Sequence, residues 1–256
     1  SIVGELLTID SEKSFFSLLK REYKELFPRL GDRTRFNRTK RNLHLVISKI
    51  RGYISEFMQL YSNNIRVIDS MPIPVCEFGR AHFSKCFKGE ASYGICASKK
   101  ETYFGFKFHA LTTVDGFLTD YVITPANIDD RNAVWDLCDK YRSISIIGDK
   151  GYINKRLTPE LKSERDIDLL FLKRANSRDN YPKEVRQLLF KVRRRIETSF
   201  SQLTEQLNLN KVKSKSMLGF MTRTSIKVLA HNISFLINKL MKNDDSMAKI
   251  KRLVFG

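Results

Sequence analysis

The chain has 256 residues, 42% of them hydrophobic and 29% charged, a balance that suits one large or two small folded domains and excludes a disordered polymer. Lysine and arginine number 46 against 28 acids, a formal net charge of +18 with a pI near 9.8, so the expected partner is a polyanion, nucleic acid ahead of an anionic membrane surface. No apolar run reaches bilayer length and no signal-peptide pattern opens the sequence, while Cys76, Cys86, Cys96 and Cys138 lack C-x-x-C and zinc spacing; the reading is a cytoplasmic protein with reduced thiols.

Residues 11–60 carry a helical period. Phe15, Phe16, Leu18, Leu19, Tyr23, Leu26 and Phe27 recur on one face before Pro28 and Gly31 interrupt it. From Asp32 to Tyr61, Arg33, Arg35, Arg38, Lys40, Arg41, Lys49 and Arg51 alternate with an apolar stripe. Two helices with a basic connection suit a helix-turn-helix-like DNA reader, or equally a small helical layer with a solvated basic face. The expected division is a helical, DNA-binding region over 1–62 and a second domain over 63–256.

From residue 65 the period becomes that of strands. Ile65 to Asp69 forms the first, and Pro72 with Pro74 is expected to end it. Residues 76–101 show no period and read as a long basic loop. Tyr103–Val114 and Phe117–Thr124 form a hairpin about Asp115-Gly116. Asp129 or Asp130 caps a helix to about Tyr141, and the β-branched run Ile144, Ile146, Ile147 makes a fourth strand stopped by Gly148 and Asp149. A short helix over 156–165, a fifth strand over 167–172, a long helix from Pro182 and a last helix over 217–241 complete the order. Arg223, Lys227 and His231 exclude that last helix as a membrane span. A hairpin joined to βαβ crossovers predicts an α/β fold with a mixed five-stranded sheet flanked by helices.

Three acids stand out. Asp69 and Asp149 each end a strand; if those strands are parallel neighbours, both carboxylates leave the same edge of the sheet. Glu197, in Arg193-Arg194-Arg195-Ile196-Glu197, flanks the apolar stripe of the long helix and can face the sheet, or can simply pair with Arg193 at i, i+4. Three carboxylates meeting without a cation repel, and an oxygen-only donor set suits Mg²⁺ or Mn²⁺. Two such ions roughly 3.5–4 Å apart clamp both oxygens of an in-line phosphoryl transfer.

The ordered set V-I-D-S-M-P-I-P-V-C at Asp69, Y-F-G-F-K-F-H, T-P-A-N-I-D-D, I-I-G-D-K-G-Y at Asp149 and R-R-R-I-E-T-S-F-S-Q-L at Glu197 resembles the DDE transposases of bacterial insertion sequences over about residues 60–240. The resemblance implies a ribonuclease H-like core. It also implies a catalytic and metal-binding triad of Asp69, Asp149 and Glu197, and Mg²⁺-dependent cleavage and joining of DNA at terminal inverted repeats. A homodimer in the synaptic complex and a nucleoid-associated location follow from the same likeness. The family has a longer helical N-terminal region, so residues 1–62 are expected to be an incomplete DNA-binding segment. Lys107, His109, Lys150, Arg193 and Arg194 are candidate phosphate contacts, and Asn127 and Asp130 sit in the loop after the third strand, where turn and cap roles also explain them. Two other readings stay open: a ribonuclease H-like nuclease that cuts without joining, and a decayed transposase fragment that binds DNA without catalysis.

Overall fold

The computed structural model describes residues 1–96, 100–152, 154, 156–171 and 181–242, apart from the side chains of Tyr61 and Lys150. Its backbone divides into two compact units, Gln59–Ser201 and the pair of segments Ser1–Met58 with Gln202–Gly256. The last helix belongs to the same unit as the N-terminal helices.

The unit of residues 59–201 is built on a mixed sheet of six strands: β1 (Ile65–Pro74), β2 (Ser92–Cys96), β3 (Glu101–Thr112), β4 (Leu118–Pro125), β5 (Ser145–Gly148) and β6 (Asp168–Phe171). Five strands were expected; the sixth is β2, a short edge element in the stretch read as loop. The order β2-β3-β1-β5-β6, with β4 also paired to β3, sets β1 between an antiparallel and a parallel neighbour. With helices on its faces, this curled α/β sheet is the ribonuclease H-like architecture that the sequence predicts.

β1 runs five residues beyond Asp69 despite its two prolines. The Val75 amide donates to Phe104 O at 3.0 Å, so odd-numbered amides of this strand turn toward β3. Pro72 and Pro74 therefore occupy positions whose missing N–H would face the other side. There the paired register with β5 ends at Val67↔Ile147. A proline costs a sheet nothing where no neighbour asks for its proton.

The alternation of side chains divides the sheet into two faces. Ile68, Leu111, Ile146 and Leu169 point to one, where they meet Val134 and Leu137 of α5 (Asp130–Leu137) and Leu157 and Leu161 of α6 (Leu157–Arg165). On the other face Ile147 packs with Leu189 and Val192 of α7 (Lys183–Ser201), and Phe200 of α7 meets Phe108 edge-on at 6.2 Å. Gly148 closes β5 because any Cβ there would lie 2.9 Å from Ile68 Cγ2.

The other unit is helical: α1 (Ile2–Leu6), α2 (Glu12–Glu22), α3 (Arg33–Asn42), α4 (His44–Phe57) and α8 (Met217–Leu240), with a π-type turn over Gln202–Gln206. Residues 23–32 join α2 to α3, and Leu43 alone lies between α3 and α4. α3 buries none of its residues, and its Arg33, Arg35 and Arg38 stand in solvent. α8 is largely buried, and the ammonium of Lys227 on it meets Glu5 Oε2 at 2.5 Å. Among the described residues no helix is long and apolar enough to cross a membrane.

Candidate active site

Asp69 and Asp149 take their places from strand register. Val67 pairs with Ile147 on parallel strands, and each acid lies two residues further on, so the two occupy matched positions on adjacent chains. Two steps along a strand restore the same face, so both belong to the face covered by α7. Asp69 is thus inside β1 rather than at its end, while Asp149 follows the last residue of β5. Glu197 lies one residue beyond Ile196, whose side chain is fully buried, and is itself more than half exposed.

Arg193 links these positions. Its Nη1 stands 3.4 Å from Asp149 Oδ1 and its Nη2 stands 3.8 Å from Glu197 Oε1. The i, i+4 pair of Arg193 and Glu197 is therefore present, but the same guanidinium also reaches the sheet. Asp69 accepts a 2.8 Å hydrogen bond from the Ser70 amide. Burial pushes its carboxyl up to about 6; the Ser70 amide and Arg193 oppose that rise, and the charges of Asp149 and Glu197 add to it. A half-buried carboxyl that feels both other acids is a concentration of negative charge that Arg193 opposes. On the other face of the sheet Tyr152, almost wholly buried, packs in the core with Ile68; burial raises its hydroxyl well above the usual range, and Asp130, Asp69 and Asp149 reinforce this.

The opposite face of β1 holds a second polar group. Ser70 Oγ donates to Asp130 Oδ2 at 2.9 Å, and Lys107 Nζ donates to Asp130 Oδ1 at 2.7 Å and to Ile128 O at 2.8 Å. His109, with no exposed surface, places Nε2 2.9 Å from Thr124 Oγ1 and Nδ1 4.0 Å from Asp130. Burial lowers its imidazole to about 4, with Asp130 pulling upward and Lys107 downward. Asp129 performs the helix cap by accepting from the Arg131 amide, which frees Asp130 for this network.

The candidate DNA contacts therefore separate. Lys107 and His109 share a strand face as expected, the face opposite Asp69; Lys107 is partly exposed and engaged by Asp130, and His109 is buried. Arg193 sits among the acids, Arg194 is exposed, and the side chain of Lys150 is outside the described residues. Sequence reasoning missed the Ser70–Asp130–Lys107 network. Its signal was present in the serine following Asp69 and in the doubled aspartate after Ile128, of which a cap needs only one.

The oxygen-only character of Asp69, Asp149 and Glu197 fits a hard divalent cation, and the raised proton affinity of Asp69 is what an added positive charge would relieve. As the side chains stand, no three His, Cys, Asp or Glu residues among those described are grouped closely enough to hold a metal ion; Arg193 supplies the counter-charge instead.

The model of the family described as transposase DDE domain matches residues 59–217. No curated protein and no solved structure gives a match. The matched segment covers the six strands, α5 to α7 and the three acids, and domains of this family typically use divalent metal ions. The chain belongs to the transposase DDE domain family, and is therefore an enzyme that cuts and joins DNA.

Proposed function

We infer that the chain catalyses metal-dependent cleavage and strand transfer at the terminal inverted repeats of an insertion sequence, with Asp69, Asp149 and Glu197 as its acidic triad. The observation that carries this reading is the matched register of Asp69 and Asp149 on adjacent parallel strands, with Arg193 tying Asp149 to Glu197. Two acids on a sheet and one on the helix covering it give a rigid pair of donors and a third that α7 can adjust. Mg²⁺, with Mn²⁺ as substitute and two ions as the expected number, would be held by these three carboxylates and would supply activation of the attacking oxygen and charge relief at the phosphate.

The residues themselves perform the remaining tasks. Asp69 and Asp149 tie the site to the paired strands β1 and β5. Arg193 keeps the acids from repelling one another and would release them as cations enter. Arg194 and the exposed arginines of α3 attract the phosphate backbone, consistent with the charge of +18. A homodimer that pairs two element ends, in the bacterial cytoplasm at the nucleoid, completes the proposal.

The test is nicking of labelled element ends with Mg²⁺ or Mn²⁺. Asp149→Ala and Glu197→Gln are expected to lose activity by roughly a thousand-fold or more, the scale seen when catalytic groups acting as a unit are removed, while retaining salt-sensitive DNA binding. Undiminished nicking by either variant would remove that residue from the mechanism. Joined product from wild type separates a transposase from a nuclease.

A further inference from the structure

Beyond the end of β1 the chain turns into a 3-10 helix, Phe78–Phe83, and returns as β2. Here large apolar side chains stand in solvent: Phe83 is 82% exposed, Ile95 73%, Phe78 55% and Tyr93 47%. Phe78 and Tyr93 meet edge to face with ring centroids 6.1 Å apart, and Tyr93 leans on Phe104 at 5.0 Å. His82 lies against Phe83 at 5.2 Å. Exposed cations alternate with these rings at Arg80, Lys85 and Lys88, and Arg80 has Glu77 as a neighbour at 3.6 Å. Glu77 and Glu90 are exposed acids of the same stretch, and aromatic faces interleaved with cations suit bases and phosphates.

The sheet relates this ledge to the acids. Directly opposed residues of antiparallel strands share a face. Asp69 pairs with Ala110 and Tyr93 with Phe104, so Asp69, Phe104 and Tyr93 lie on one face. Ala110 and Phe104 are six residues apart along β3, on the order of 20 Å at strand rise. That is about six nucleotides of a stacked strand and fewer of an extended one. The ledge lies in the direction in which β1 runs past Asp69.

We propose that Phe78, Tyr93 and Phe83, with Arg80 and Lys85, form a stacking platform for unpaired bases of the DNA strand that leaves the acid site. The rings offer π faces that any base can use, and the cations hold the backbone between them. The ligand is single-stranded or frayed DNA continuous with the reacting duplex, which deepens the function proposed above and rests on it.

The experiment uses the full chain in EDTA, so that no cleavage occurs, and a duplex carrying a single-stranded 3′ extension with 2-aminopurine at successive positions. Phe78→Leu combined with Phe83→Leu keeps apolar bulk at two exposed positions and removes the rings. Wild type is expected to quench the probe most strongly some four to six nucleotides from the junction. The double variant is expected to lose that quenching and to bind the extension on the order of 5- to 100-fold more weakly, with unchanged affinity for blunt duplex. Equal quenching by both proteins overturns the proposal. So does an equal loss on blunt duplex, or a change in self-association without a change in quenching, which would mark the ledge as a protein contact. Nicking by wild type with Mg²⁺, measured in parallel, separates the two readings: nicking without quenching refutes the platform alone, and quenching without nicking refutes the proposed catalysis alone.

Discussion

The two faces of β1 carry polar groups of opposite temperament. Toward α5, Asp130 receives Ser70 and Lys107, one carboxylate answered by a hydroxyl and an ammonium in a closed group. Toward α7, Asp69, Asp149 and Glu197 all feel Arg193, and the most enclosed of them holds its proton up to about pH 6. Neighbouring residues, Asp69 and Ser70, look into these two settings. The difference teaches that burial alone does not mark a reactive group: a satisfied network rigidifies, whereas an under-compensated one is poised to accept a charge.

The largest expected effect comes from opening the satisfied side. Asp130→Ala strands Lys107 beneath α5 without its carboxylate and removes the acceptor of Ser70, and is expected to destabilise the fold by about 3 kcal/mol. Urea unfolding measures this, and a change below about 1 kcal/mol would show that the network is dispensable. Asp130→Asn, which keeps the acceptor for Ser70, should fall between.

Acid tests the same side more gently. His109 and, in the helical unit, His231 are both lowered to about 4, in each case chiefly by burial. Below the unfolded value of about 6.5 the unfolded chain takes up protons that the native chain refuses, so stability falls as pH drops from 6.5 toward 4. At pH 5 the loss is expected to approach 2 kcal/mol for each histidine. Unfolding midpoints that stay flat between pH 7 and pH 5 would contradict the neutral, enclosed imidazoles.

The smallest effect on stability belongs to the open side. Arg193→Gln removes a partly exposed cation from two acids that are themselves 41% and 54% exposed, and should change stability by less than about 1 kcal/mol. It should nonetheless raise the Asp69 carboxyl above its present value, because Arg193 is among the influences that lower it. Carboxyl chemical shifts followed through a pH titration would detect this. An unmoved Asp69 would disconnect Arg193 from the site.

Much of the architecture was readable before any coordinates. The Ile144–Gly148 run, the Asp115-Gly116 turn and the stripe of the long helix use local signals whose physics is short-range. Gly116 takes the positive φ of 96° that its turn needs. What escaped depends on partners distant in sequence. β2 carries only a two-residue alternation, Tyr93 and Ile95, and both point outward; it is a strand because β3 offers it a ladder. The prolines of β1 read as a stop because the one-sided pairing that tolerates them is decided by where β5 ends. His109 and Lys107 looked like surface groups because alternation says which residues share a face, not which face a helix will cover. For the site, the spacing of Asp69 and Asp149 from their strands was legible, whereas the bridging role of Arg193 required the helix to be set on the sheet.

Pro72 and Pro74 have a consequence for what can lie alongside that strand. A rim bearing amide protons invites another polypeptide to zip onto it, and two imino positions in succession decline the invitation. Past the last paired rung of β5, that edge of β1 therefore offers no amide proton at positions 72 and 74 for another polypeptide to pair with.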